Sequence, residues 1–130
     1  MADNLSVARR FYAGFAARDG AAILAELHPE FVGQVSAGMP LAVGGRHDGP
    51  QTMLREVWSP VAVAYDVAPE ADELLVCAAD RMVALGAYRG RVRRTGAAVD
   101  TAFAHVLRFR DGKISELVQI TDTASWPAPA

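Results

Sequence analysis

The stretch DTAFAHVLRFRDGKISELVQITDT, Asp100 to Thr123, carries one histidine inside an otherwise apolar, alternating run. An imidazole ordinarily titrates at a pH of about 6.5, which suits His105 to giving or taking a proton near neutrality. Strand alternation puts Thr101, Phe103 and Leu107 on the same side as His105, and Leu117, Gln119 and Thr121 of the following run can face them. A wall of this kind, apolar with a few polar fixtures, suits a small-molecule pocket. It suits equally a filled core in which His105 hydrogen-bonds to Gln119 or to a helix-borne Tyr12. Gln119 can orient a carbonyl or an enol, but its amide has no useful proton affinity near neutral pH. Asp122 falls on the opposite face of the strand and reads as a structural carboxylate.

The other polar candidates are more scattered. His28, in "LHPE", is expected at the C-terminal end of a helix, where it would interact with the helix dipole. His47 and Asp48 lie in a glycine-rich segment that could close over a ligand. Asp66, Asp48 and Glu30 are the carboxylates available as partners for His105. There is no His-x-x-x-His or Cys-x-x-Cys pair, no phosphate-cradling glycine motif and no serine in a nucleophile-elbow setting. Cofactor-free chemistry without a metal is therefore the expectation. Tyr12, Phe15, Trp58, Tyr65 and Tyr88 supply aromatic area for a cavity lining or for a core, with Trp58 and Tyr65 flanking "SPVAVA" as candidates for the mouth.

These residues must be held by a compact scaffold, and the composition permits one. The chain has 130 residues, 52% of them apolar, enough for one self-sufficient hydrophobic core. A formal charge of -2 argues against nucleic acid as the main partner. The local exception, Arg89, Arg91, Arg93 and Arg94, reads either as a solvated strand edge that discourages aggregation or as an anion site. The lone cysteine, Cys77, allows no intrachain disulfide, and the N-terminus lacks a signal-like pattern, so a cytoplasmic location is expected. No apolar run approaches the roughly 20 residues of a membrane helix.

Periodicity orders the elements. "NLSVARRFYAGFAARD" places Leu5, Ala8, Phe11, Tyr12 and Phe15 at helical spacing behind Asp3 or Asn4 as caps. Asp19 can cap a second helix through "GAAILAEL", closed by Pro29, and "FVGQVSA" follows as a short strand. "GMPLAVGGRHDGP" reads as a mobile loop, and "QTMLREVW" as a third helix that Pro60 ends. From Asp66 the period becomes two, with strands at 66–78, 81–93, 99–110 and 113–123 forming an antiparallel meander. Asp111-Gly112 is its firmest turn. One α+β domain, residues 1–125, is expected, with 126–130 as a short extended tail.

The segments "FYAGFAARDGAAILAELHPEFV", "GGRHDGP", "ALGAYRGRVRRTG" and "AHVLRFRDGKISELVQITDT" resemble the nuclear transport factor 2-like superfamily, in particular its ketosteroid isomerase and SnoaL-like polyketide cyclase branch. The resemblance implies a cone-shaped fold, three N-terminal helices packed on a curved antiparallel sheet, and a homodimer. It places His105 where SnoaL-like cyclases carry a histidine, and Gln119 where they carry an aspartate. The isomerase base position falls near Gln34 or Val35, neither a carboxylate, and the isomerase tyrosine at or beside Phe11. The implied function is binding of a small hydrophobic, carbonyl-bearing, polyketide-like metabolite. In that reading His105 and Gln119 are the catalytic pair of a cofactor-independent cyclase or isomerase, and Tyr12, Phe15, Trp58, Phe103, Leu117 and Thr121 line the ligand. Loss of the carboxylate at Gln119 favours the alternative, a noncatalytic binding or dimeric assembly module.

Overall fold

The computed structural model describes residues 3–130. Helix α1, Asn4–Ala16, starts where the Asp3 carboxylate accepts the Ser6 backbone N–H at 2.8 Å. It buries Val7, Ala8, Phe11, Tyr12 and Gly14, while Leu5 and Phe15 are only partly covered. Helix α2, Gly20–Ala25, is capped by Asp19, which accepts the Ala22 N–H at 3.1 Å.

Two prolines act differently from expectation. Helix α2 ends before Pro29, which lies inside strand β1, Leu27–Val35. The ladder of β1 shifts register between Leu27 and Val32, so the donor that Pro29 lacks falls where regular pairing is interrupted. His28 is consequently a strand residue, held by Arg110 rather than by a helix end. Pro60 likewise does not end the third helix. Helix α3 continues through α-helical Pro50–Met53, π-wound Leu54–Trp58 and α-helical Ser59–Ala64. A proline ring crowds the carbonyl one turn before it, and the wider π winding relieves that contact.

The glycine-rich segment is more ordered than a mobile loop. It contains a 3₁₀ turn at Pro40–Ala42 and strand β2, Gly45–Asp48, paired antiparallel with β1. His47 fastens it, with Nδ1 2.8 Å from the Glu56 carboxylate and Nε2 2.8 Å from the Val43 carbonyl.

Strands β3, Tyr65–Ala78, β4, Arg81–Val92, β5, Ala98–Arg110, and β6, Lys113–Thr121, form the expected meander. Asp111 and Gly112 both take positive φ at the β5–β6 turn, as a tight hairpin requires. The six-stranded sheet has the order β2-β1-β6-β5-β4-β3; only the β1–β6 pairing is parallel. Strand β4 is thus interior, and its arginines are not an edge: Arg89 is clasped by Glu70 and Asp72 from β3. The helices close the concave face over a core that includes Phe11, Phe31, Met53 and Leu107. No helix among the described residues is long and apolar enough to cross a membrane.

The sheet's curl depends on close approach of β3 to β4. A Cβ on Gly86 would lie 1.8 Å from the Glu70 carbonyl oxygen, beside a register shift in β3 between Ala71 and Glu73. Gly86→Ala is expected to destabilise the fold by about 3 kcal/mol in urea denaturation, because the two strands must separate. Wild-type stability in that variant would contradict the tight crossing.

Candidate functional site

Helices α1 and α3 and the concave sheet face enclose a cavity of about 230 Å³. Its wall is mostly apolar, with Phe11, Phe15, Met53, Val57, Trp58 and Leu117 prominent, and its buried polar groups are His105, Tyr88 and Gln119. Exposed Arg18, Ser59 and Ala62 mark the mouth. A cavity of roughly 150 Å³ accommodates benzene, so this one, open at its mouth, has room for a ligand of more than one ring.

His105 and Gln119 are directly paired across β5 and β6, both inward, yet the hydrogen-bond chain between them runs through Tyr88. Its direction can be read from the backbone. The Ser36 N–H donates to Gln119 Oε1 at 3.2 Å, which turns the Gln119 amide nitrogen toward the Tyr88 hydroxyl, 2.7 Å away. That oxygen accepts from Gln119, so the Tyr88 O–H donates onward to His105 Nε2 at 2.8 Å. Nε2 is then the unprotonated nitrogen, and Nδ1–H donates to the Tyr12 hydroxyl at 2.8 Å. Gln119 therefore sets the polarity of the chain, which an amide can do without any basicity. The Ser36 side chain braces it further by donating to the backbone carbonyl of Gln119 at 2.8 Å.

Burial dominates the electrostatics. His105 is 3% exposed, and desolvation pushes its pKa down to about 3. Desolvation also pushes both tyrosines up, Tyr12 with a smaller contribution from Tyr88 and Tyr88 despite its bond to Gln119. At neutral pH the site is a neutral imidazole between two neutral phenols. The Phe103 ring stacks on His105 at 4.0 Å and fixes its plane.

Of the aromatic and apolar residues expected around a ligand, Phe15, Trp58 and Leu117 are on the wall. Tyr12 and Phe103 lie behind it, gripping His105. Thr121 donates to the Ala102 carbonyl at 2.9 Å and accepts the Trp126 indole N–H at 3.2 Å, so it anchors the C-terminal segment. None of the proposed carboxylate partners reaches His105: Asp48 pairs with Arg46, Glu30 with Arg110, and Asp66 with Arg18 at the mouth. Asp122 caps a 3₁₀ turn at Thr123–Ser125, a structural role as expected. Gln34 bonds to Glu116, and Val35 is on the cavity wall. Tyr65 is wholly buried, away from the mouth, with its hydroxyl donating to the Pro127 carbonyl at 2.6 Å. Among the described residues, no three His, Cys, Asp or Glu side chains are grouped so that they could hold a metal ion.

Two contributions were not read from the sequence, the burial of Trp126 and the bond to His105 made by Tyr88, itself a candidate for the lining. Trp126, in the segment read as a tail, is buried against Tyr65 and Tyr88 and forms part of the wall. Tyr88 pairs with Thr101, one alternation step beyond Phe103, and its ring leans back over Phe103 toward His105. Counting the β4–β5 register would have put Tyr88 near His105; nothing in "ASWPAPA" signals that Trp126 turns inward.

The SnoaL-like domain family matches residues 8–117. An NTF2-like protein of Burkholderia thailandensis is 28% identical, with a TM-score of 0.86 over 96% of this chain and 95% of that one. TerC, whose crystal structure was solved with polyporic acid, is 27% identical, with a TM-score of 0.83 over 93% of this chain and 92% of its own. A putative polyketide cyclase of Sinorhizobium meliloti shares the fold at 19% identity and a TM-score of 0.69, over 88% of this chain and 94% of its own. No curated protein matches the sequence. The chain, matched over most of its length, belongs to the SnoaL-like domain family of the NTF2-like superfamily.

Proposed function

We propose that the cavity binds a small, flat, hydrophobic metabolite bearing a carbonyl or phenolic oxygen, of the aromatic polyketide kind. The observation that carries this reading is an apolar chamber of about 230 Å³ whose buried polar groups converge at Tyr88, His105 and Gln119. The co-crystal of TerC with polyporic acid, a dihydroxy-diphenyl-benzoquinone, supports the class. A ligand oxygen at the floor accepts the Tyr88 O–H. That turn frees His105 Nε2, which can take a proton from the carbon beside the carbonyl while Tyr88 stabilises the enolate oxygen. The chemistry is then a cofactor-free isomerisation or cyclisation through an enol. His105 is the base, and Gln119 acts on Tyr88 as a positioning residue.

A second reading, binding without turnover, is favoured by the doubly hydrogen-bonded, acid-shifted His105 and the lack of a carboxylate beside it. Polyporic acid at roughly a hundredfold excess over its Kd should stabilise the protein by about 2.7 kcal/mol, a rise in Tm on the order of 10 °C. No shift, and no aromatic compound recovered by mass spectrometry from purified protein, would contradict binding of this class. Compound recovered unchanged after incubation selects the noncatalytic reading. Full turnover by His105→Ala on a substrate that reacts would remove His105 from the chemistry.

The exposed apolar side chains Leu75 and Ile120 support homodimer formation through the sheet's outer face. A monomer in light scattering would contradict that part of the proposal.

A further inference from the structure

The mouth of the cavity carries a charge arrangement that binding of a neutral hydrocarbon does not require. Among the described lining residues, Arg18 is the only charged side chain, since the buried imidazole of His105 is neutral. Arg18 belongs to a group in which three arginines share one carboxylate. Its Nη2 is 2.9 Å from Asp66 Oδ1, Arg91 is 3.4 Å from Asp66 Oδ2, and Arg93 is 3.9 Å from Oδ1. Three cations around one anion leave the cluster at +2, and Asp66 is not part of the cavity wall.

Arg18 is also placed at some conformational expense. It follows the C-terminus of α1 with φ of 56°, the left-handed region that glycine normally fills at this position. Its guanidinium is oriented by donation to the Phe15 carbonyl at 3.0 Å, and its side chain remains 45% exposed. A plain helix terminus would be better served by glycine, yet this one holds a braced, only partly neutralised arginine at the rim of an apolar chamber.

We propose that the cavity's ligand is an organic anion, with its apolar rings in the chamber and an ionised acidic oxygen held by Arg18 at the mouth. Carboxylates and acidic enols or hydroxyquinones share this chemistry, whereas neutral ketones and hydrocarbons lack it. The inference rests on the cavity-binding reading and adds to it the charge of the ligand and the residue that selects for it. Arg91 and Arg93 contribute field, and Arg18 contributes the contact.

Polyporic acid, ionised at neutral pH, and its neutral dimethyl ether separate the two levels of the claim. Titration calorimetry on the wild-type protein should give about tenfold tighter binding of the acid, and the preference should shrink as salt is raised. Arg18→Gln should weaken the acid about tenfold and leave the ether within about twofold, while Arg18→Lys restores part of the preference. Arg18→Gly is the folding control: relieving the left-handed strain should leave Tm at or above the wild-type value while the preference for the acid disappears. Equal affinities for the two compounds, or equal weakening of both in Arg18→Gln, would overturn anion selection and leave cavity binding standing. Binding of neither compound would overturn both.

Discussion

Gln119→Glu is expected to reverse the buried hydrogen-bond chain and to raise the titration of His105 by about 1–3 pH units. In the wild-type protein, the Ser36 N–H forces the Gln119 amide to donate to Tyr88, Tyr88 to donate to Nε2, and Nδ1–H to donate to Tyr12. A carboxylate has no proton to give Tyr88, so the phenol must donate to it instead. The imidazole must then protonate Nε2 to bond to the Tyr88 oxygen, and Tyr12 must donate to Nδ1. The negative charge across the strand pair also favours an imidazolium. Placing a carboxylate in this apolar site should cost on the order of 3 kcal/mol at neutral pH by urea denaturation. An unchanged tautomer and an unchanged titration would mean that Gln119 does not set the polarity of the chain.

The second large effect is acid sensitivity. An unfolded chain protonates His105 at about pH 6.5, whereas the folded chain does so only near 3. Between those values the unfolded state holds the extra proton, so stability falls as pH falls. The contribution of the neutral imidazole is fully present above about pH 6.5 and is lost at about 1.4 kcal/mol per pH unit through the window. Over two units the loss is about 2.7 kcal/mol, a large part of a typical domain's stability. His105→Gln should start lower at neutral pH, by about 1–3 kcal/mol, because the two tyrosines lose a well-shaped partner. Its profile should then be flatter from pH 6.5 to about 4.5. The carboxyls held below their ordinary value, Asp66 and Asp72 by hydrogen bonds from Arg18 and Arg89, lose their contribution lower still, as pH drops beneath the ordinary carboxylate range. A wild-type curve no steeper than that of His105→Gln would contradict a neutral buried imidazole.

What could be read from the sequence follows physical locality. Asp3 and Asp19 announce their helices because a cap bonds within one turn, and Asp111-Gly112 announces its hairpin because positive φ is a local demand. The inward facing of His105 and Gln119 follows from alternation alone, and Tyr12 was one of two partners foreseen for the imidazole. Pro29 and Pro60 misled because their missing donors were absorbed, by an irregular β1–β6 ladder in the first case and by a π-wound turn just before the ring in the second. The ordering of the glycine-rich segment depends on Glu56, in another element. The inward turn of Trp126 depends on Thr121 and the rings of Tyr65 and Tyr88, contacts for which seven residues of proline-rich sequence hold no pattern. Arg18 is the instructive case: as one more arginine on an amphipathic helix it carries no signal, and only its left-handed backbone and its place at the cavity mouth distinguish it.

All of this chemistry starts from a single protonation state, which ring ¹⁵N NMR reports directly once His105→Gln has assigned the signals. The predicted result is a neutral His105 protonated on Nδ1 and bare on Nε2, with no titration between pH 8 and about 5. A proton on Nε2, or a midpoint within about one unit of the ordinary 6.5, would contradict the account.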